Sequence, residues 1–81
     1  MHMALGSMIL KMKPEAESSL RAYLEGLSGV SVEEKTPQGE LILLVEAGDI
    51  TALHKLSQEI EKAEGVLGLY PSYITTDDEE Q

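Results

Sequence analysis

The stretch Thr36-Pro37-Gln38-Gly39-Glu40-Leu41-Ile42-Leu43-Leu44-Val45-Glu46-Ala47 decides how this chain is read. A turn signal runs straight into five consecutive large aliphatic residues, Leu41 to Val45, and Glu46 closes the run. A strand with one buried face alternates apolar and polar residues. This one is apolar on both faces. One face must pack on the chain's own helices. In an 81-residue chain too little remains to cover the other, so an open apolar sheet face that binds something is expected.

The neighbouring segments supply the rest of the architecture. Pro37-Gln38-Gly39 suits a type I turn closed by a glycine bulge. It pairs the aliphatic run with the alternating strand Val30-Ser31-Val32-Glu33 as a hairpin. Upstream, Met8 to Lys13 reads as a strand, with Met8, Leu10 and Met12 on one face and Ile9, Lys11 and Lys13 on the other. Pro14 fits a first helical turn, where its missing N–H costs nothing, and Glu15 and Glu17 favour the positive end of that helix. Leu20, Tyr23, Leu24 and Leu27 form its apolar stripe; Gly26 and Gly29 bracket its end, and Gly29 is the expected C′ residue. Downstream, Gly48-Asp49 breaks the strand, and Asp49 or Thr51 can cap a second helix. The stripe of that helix is Leu53, Leu56, Ile60 and Ala63, with Glu59 and Lys62 facing water. Gly65 stops it. Val66 to Ile74 forms a last strand, with Pro71 inside it, which points to a sheet edge or a bulge.

The order βαββαβ is the ferredoxin-like α+β arrangement: a four-stranded antiparallel sheet with two helices on one face. Gly29-Val30 and Gly65-Val66 each follow a helix and enter a strand, a hint of the internal repeat of that fold. A single domain is expected over residues 8–74. Residues 1–7 are expected to be a flexible N-terminus, in which vector-derived residues can precede a natural start near Met8. Residues 75–81 are expected to be a disordered acidic tail.

Composition excludes several classes of function. The chain has no cysteine, so disulfides, thiolate metal sites and cysteine nucleophiles are ruled out. No apolar run approaches the ~20 residues that span a bilayer, and the N-terminus lacks the basic and apolar regions of a secretory signal. The expected compartment is the cytoplasm. Fifteen acidic and six basic residues give a net charge of −9. That opposes nucleic acid and anionic membrane surfaces and favours cationic partners, through steering more than contact energy. Solubility alone explains such a charge equally well.

Candidate chemistry is thin. His54 stands alone on the second helix, and a metal site needs two or more convergent ligands. Ser18, Ser19 and Ser57 have no neighbouring base, so a hydrolase triad is unsupported. No cofactor and no catalytic activity are expected. Families that share the fold can be tested by the residues they require. An acylphosphatase-like enzyme needs an asparagine and a phosphate-binding arginine; the chain has no asparagine, and its one arginine, Arg21, falls mid-helix. A heavy-metal-associated domain needs two cysteines after its first strand. An RNA-recognition module needs aromatic residues on its central strands in a basic setting, and here that strand is aliphatic between Glu40 and Glu46. A small-molecule (ACT-like) regulatory or dimerisation module stays open, because its demands on sequence are loose.

Three stretches together resemble the NapD family, the small cytoplasmic maturation proteins of the periplasmic nitrate reductase. They are the first strand with Pro14-Glu15, the run Gly39-Glu40-Leu41-Ile42-Leu43-Leu44-Val45-Glu46-Ala47, and Glu64-Gly65-Val66-Leu67-Gly68-Leu69. No single motif is diagnostic; the combination at this spacing carries the resemblance, over about Met8 to Ile74. One departure is the first strand, which begins close to the expected natural start. The resemblance implies a ferredoxin-like fold and a chaperone. The chaperone would bind the twin-arginine signal peptide of the reductase's catalytic subunit and delay export until the molybdenum cofactor is inserted.

The residues agree with what the resemblance implies. A cationic motif followed by an apolar stretch can lie on an apolar sheet face with acidic groups around it. Strand alternation places Ile9, Lys11, Ile42, Leu44, Tyr70 and Ser72 on the open face, with Glu46 at its rim. A competing register exists. A glycine-bulge hairpin sets Val32 opposite Leu44 and makes Ile42 and Leu44 the core pair. A plain two-residue turn sets Val32 opposite Leu43 and leaves them open. The assignment taken is that Ile42 and Leu44 face outward. A monomer is the favoured state.

Overall fold

In the computed structural model, which describes residues 3–76, the elements run β1 (Ala4–Met12), α1 (Glu17–Glu25), β2 (Val30–Lys35), β3 (Leu41–Ala47), α2 (Ile50–Glu61) and β4 (Val66–Thr76). A 3-10 turn over Pro14–Ala16 leads into α1. The strands form one antiparallel sheet in the order β2-β3-β1-β4. Both helices pack on one face of it, so the fold is the ferredoxin-like one that the order of elements implies.

The core lies between that face and the helices. Leu41, Leu43 and Val45 are each 0% exposed. They pack with Met8, Leu10 and Met12 of β1, Leu20 and Leu24 of α1, and Leu53 and Ile60 of α2. Ile42 and Leu44 point the other way and are only half-buried. Each fully buried leucine contributes about 1.5–3 kcal/mol of burial free energy, so the helices hold to the Leu41-Leu43-Val45 face.

The hairpin register comes from two irregularities rather than one. The Gly39 N–H donates to the Thr36 carbonyl (2.9 Å), and the Thr36 N–H donates to the Glu40 carbonyl (2.7 Å). With Gly39 at φ 86°, that is the glycine-bulge turn. By itself it would set Val32 opposite Leu44. A second bulge at Glu33 resets the ladder, and Val32 pairs with Leu43. Val32 therefore joins the core side.

Other expectations change in detail. β1 begins at Ala4, not Met8, so residues 4–7 are ladder rather than a loose lead. Ala4 is 0% exposed, and Gly6 is buried with the Leu53 and Ile74 side chains within 3.5 Å of where a Cβ would stand. Small residues were needed there, and they carry little strand signal. β4 runs to Thr76; residues 77–81 of the expected tail lie outside the described residues. Tyr23, assigned to the α1 stripe, is 37% exposed, because it projects beside α2 near Glu59 and Lys62. Asp49 is the α2 cap, its carboxylate accepting the Ala52 N–H at 2.8 Å.

The expected internal repeat is visible in the backbone. Gly29 is not the C′ residue of α1: the helix ends at a right-handed C-cap, Gly26, and the left-handed Gly29 (φ 85°) comes three residues later, as Gly65 (φ 94°) comes three residues after the α2 cap Lys62. Each carbonyl then takes a hydrogen bond at the end of a strand: Glu46 N–H of β3 to Gly29 (2.7 Å), and the N–H of Lys13, just past β1, to Gly65 (2.9 Å). These paired anchors fix the ends of β3 and β1.

One ion-pair cluster ties α1 to β2. The Glu17 carboxylate accepts from Lys35 (2.8 Å) and from Arg21 (3.1 Å). The Lys35 bond first, and Arg21 second, hold its pKa below the ordinary glutamate value. A depressed carboxylate stabilises the fold above its unfolded pKa, and that contribution disappears as pH falls through the folded pKa. Lys35→Met is expected to return the Glu17 carboxyl titration toward the ordinary value, read by carboxyl NMR; an unmoved titration would contradict the assignment.

Candidate functional site

The face of the sheet away from the helices is built by strand register. One row crosses all four strands as Glu34, Ile42, Ile9 and Tyr70. The next is Ser31, Leu44, Ser7 and Tyr73, and a third sets Glu46 beside Leu5. The centre is aliphatic: Leu5, Ile9, Ile42 and Leu44 are half-buried beside one another, and among the described residues no helix lies over them. Tyr70 (51% exposed) and Tyr73 (62%) rise along the β4 side. The acidic groups, Glu34, Glu40 and Glu46, stand on the β2–β3 side. Four strands at about 4.8 Å spacing give a floor roughly 14 Å wide, enough for a helix of about 10–12 Å diameter.

One end of this face carries a charged cluster. Lys11 Nζ lies 3.7 Å from Glu40 Oε2 and 5.7 Å from the centroid of the Tyr70 ring. The ring covers Gly68, where a Cβ would stand 2.7 Å from Tyr70 Cε2. The Glu40 carboxylate also takes the Thr36 hydroxyl at 3.4 Å, while the Glu40 N–H donates back to Thr36 Oγ1 at 3.0 Å.

The structure thus brings Ile9, Lys11, Ile42, Leu44, Glu46 and Tyr70 onto one surface. Ser72 differs. Plain alternation sets Ser72 opposite Ser7, but a bulge at Ser72 moves Tyr73 there. Sequence reasoning also missed Leu5 and Ser7, because it began β1 too late. The signal for Tyr73 was Pro71, which already pointed to a bulge.

The model of the NapD protein family matches residues 3–78. The chain belongs to the NapD family. No curated protein matches it. Among solved structures, the chain is similar to the solution structure of the E. coli Tat proofreading chaperone NapD, at a TM-score of 0.80 and 28% identity, covering 98% of this chain and 81% of that one. NapD membership and this likeness support a chaperone role and a non-catalytic protein. The regulatory-module reading has no support in these matches.

The other polar groups singled out in the sequence lie away from this face. The Ser57 hydroxyl donates to the Leu53 carbonyl at 2.9 Å and lies 3.4 Å from Met8 Sδ, so it is tied within its own helix. His54 is exposed on α2. Among the described residues no three His, Asp or Glu side chains are placed to hold a metal, and no helix is long and apolar enough to cross a membrane.

Proposed function

We propose that the open sheet face binds the twin-arginine signal peptide of the periplasmic nitrate reductase catalytic subunit in the cytoplasm, delaying export until the molybdenum cofactor is inserted. The observation that carries this reading is the uncovered aliphatic floor of Leu5, Ile9, Ile42 and Leu44, bordered by tyrosines on one side and carboxylates on the other. The peptide's apolar stretch buries against the floor and supplies most of the affinity. Its arginines pair with rim carboxylates, and the net charge of −9 speeds encounter. Glu40, Glu46, Tyr70 and Tyr73 complete the proposed contact set with the floor, Lys11 stands within the site beside Glu40, and one monomer suffices.

The test is calorimetric titration of a synthetic leader peptide. Replacing both arginines with glutamine is expected to weaken binding, by more at low salt than at high salt, because screening is weakest there. Absence of binding by the native leader would refute the reading. Loss of arginine dependence with retained affinity would leave only the apolar part of it.

A further inference from the structure

We infer that Lys11 is an internal occupant of an arginine site, held between the Glu40 carboxylate and the Tyr70 ring until a guanidinium of the incoming peptide displaces it. This rests on the open face being the peptide site. Both walls of the site are positioned without Lys11. The Glu40 carboxylate is drawn toward the turn by the Thr36 hydroxyl at 3.4 Å, and that hydroxyl oxygen is itself anchored by the Glu40 N–H at 3.0 Å. The Tyr70 ring lies in the space left by Gly68. Lys11 itself is loosely held: its side chain is 53% exposed and its carboxylate partner is 3.7 Å away.

An ammonium is a compact point charge, and an exposed pair of that length contributes little. A guanidinium is planar. It can stack on the tyrosine face while its N–H fork meets the carboxylate in two parallel bonds. The same walls therefore hold arginine better than they hold Lys11, whose long stem is free to swing to solvent.

The position also sets the direction of the peptide. Lys11 and Glu40 stand at one end of the face, and Leu5 and Glu46 lie six residues along β1, roughly 20 Å away at about 3.3 Å per residue. The arginines occupy the Glu40 end and the apolar stretch runs toward Glu46. A helix of about 13 residues covers that distance.

The experiment titrates an Arg-Arg leader peptide and its Gln-Gln counterpart into wild type, Lys11→Met, Glu40→Gln, Glu46→Gln and Lys55→Met. Lys11→Met is expected to tighten the Arg-Arg peptide about three- to tenfold, against intuition for a residue in the site, and to leave the Gln-Gln peptide unchanged. Glu40→Gln is expected to weaken the Arg-Arg peptide only, by about tenfold. Lys55→Met makes the same change of net charge on exposed α2 and is expected to do nothing. The inference is overturned if Lys11→Met leaves Arg-Arg affinity unchanged or weakens it, if it tightens both peptides alike, or if Lys55→Met reproduces it. A loss in Glu46→Gln in place of Glu40→Gln reverses the peptide and also overturns it. If wild type binds neither peptide, the peptide reading fails with it; if wild type binds and Lys11→Met changes nothing, only this inference fails.

Discussion

A Leu44→Glu variant is expected to fold and to lose the leader peptide, whereas Leu43→Glu is expected not to fold at all. The two residues are adjacent in β3 and identical in chemistry. They differ in which side of the sheet they meet. Leu43 is 0% exposed beneath the helices, so a glutamate there loses about 2–5 kcal/mol of packing and adds a carboxyl group to an apolar core, which even in its neutral form and without a hydrogen-bond partner costs about 2–7 kcal/mol more. That sum reaches the whole stability of a small domain, about 5–15 kcal/mol. Leu44 is half-buried on the open face, where a carboxylate reaches water and the fold is spared. Removing the aliphatic contact there should cost the complex about 1–3 kcal/mol, or tenfold to a hundredfold in affinity. Circular dichroism separates folding from binding in each variant. A folded Leu44→Glu with unchanged affinity, repeated for Ile42→Glu, would remove the open-face model.

The contrast also shows what could be read in the chain. Five aliphatics in a row signalled a strand apolar on both sides, and the βαββαβ order followed from helix stripes, caps and glycine stops. Which side of β3 would be covered depended on hairpin register, and the turn alone gave the opposite answer to the one observed. The deciding feature is the bulge at Glu33. It lies in a run of charged residues with no local preference for a bulge, and only the packing of Val32 on the core selects it. Ser72 and Tyr73 exchanged places for a similar reason: Pro71 announced an irregularity, but the neighbouring strand determines which residue is left over. Ala4 and Gly6 escaped notice because a position crowded by Met8 and Leu53 needs small side chains, and small side chains do not advertise a strand. Elements legible from local chemistry were read, and Ile42 and Leu44 face outward as expected; the bulge at Glu33 that produces this register, chosen by contacts far apart in sequence, was not legible.

Gly29→Ala and Gly39→Ala are expected to separate clearly in stability, although the two glycines share nearly the same backbone conformation, φ 85° and 86°. Alanine in the left-handed region costs about 1–2 kcal/mol. At Gly39 that is the whole effect, because an added Cβ meets nothing within 4 Å. At Gly29 the added Cβ runs into the carbonyl oxygen of Glu46. That oxygen is backbone and cannot rotate aside. It belongs to the residue paired with Leu5 in the sheet, and its own N–H donates to the Gly29 carbonyl at 2.7 Å. Making room means breaking that bond, at about 1 kcal/mol, and pulling the end of β3 away from β1. The expected total is about 2–3 kcal/mol for Gly29→Ala against about 1–2 kcal/mol for Gly39→Ala, a separation set by the Glu46 contact and read as the difference in urea midpoint at constant slope. Equal shifts would mean that the close approach at Gly29 does not exist in solution. The larger loss at Gly29 would show that the junction after α1 holds the strand from which Leu44 and Glu46 face the open side.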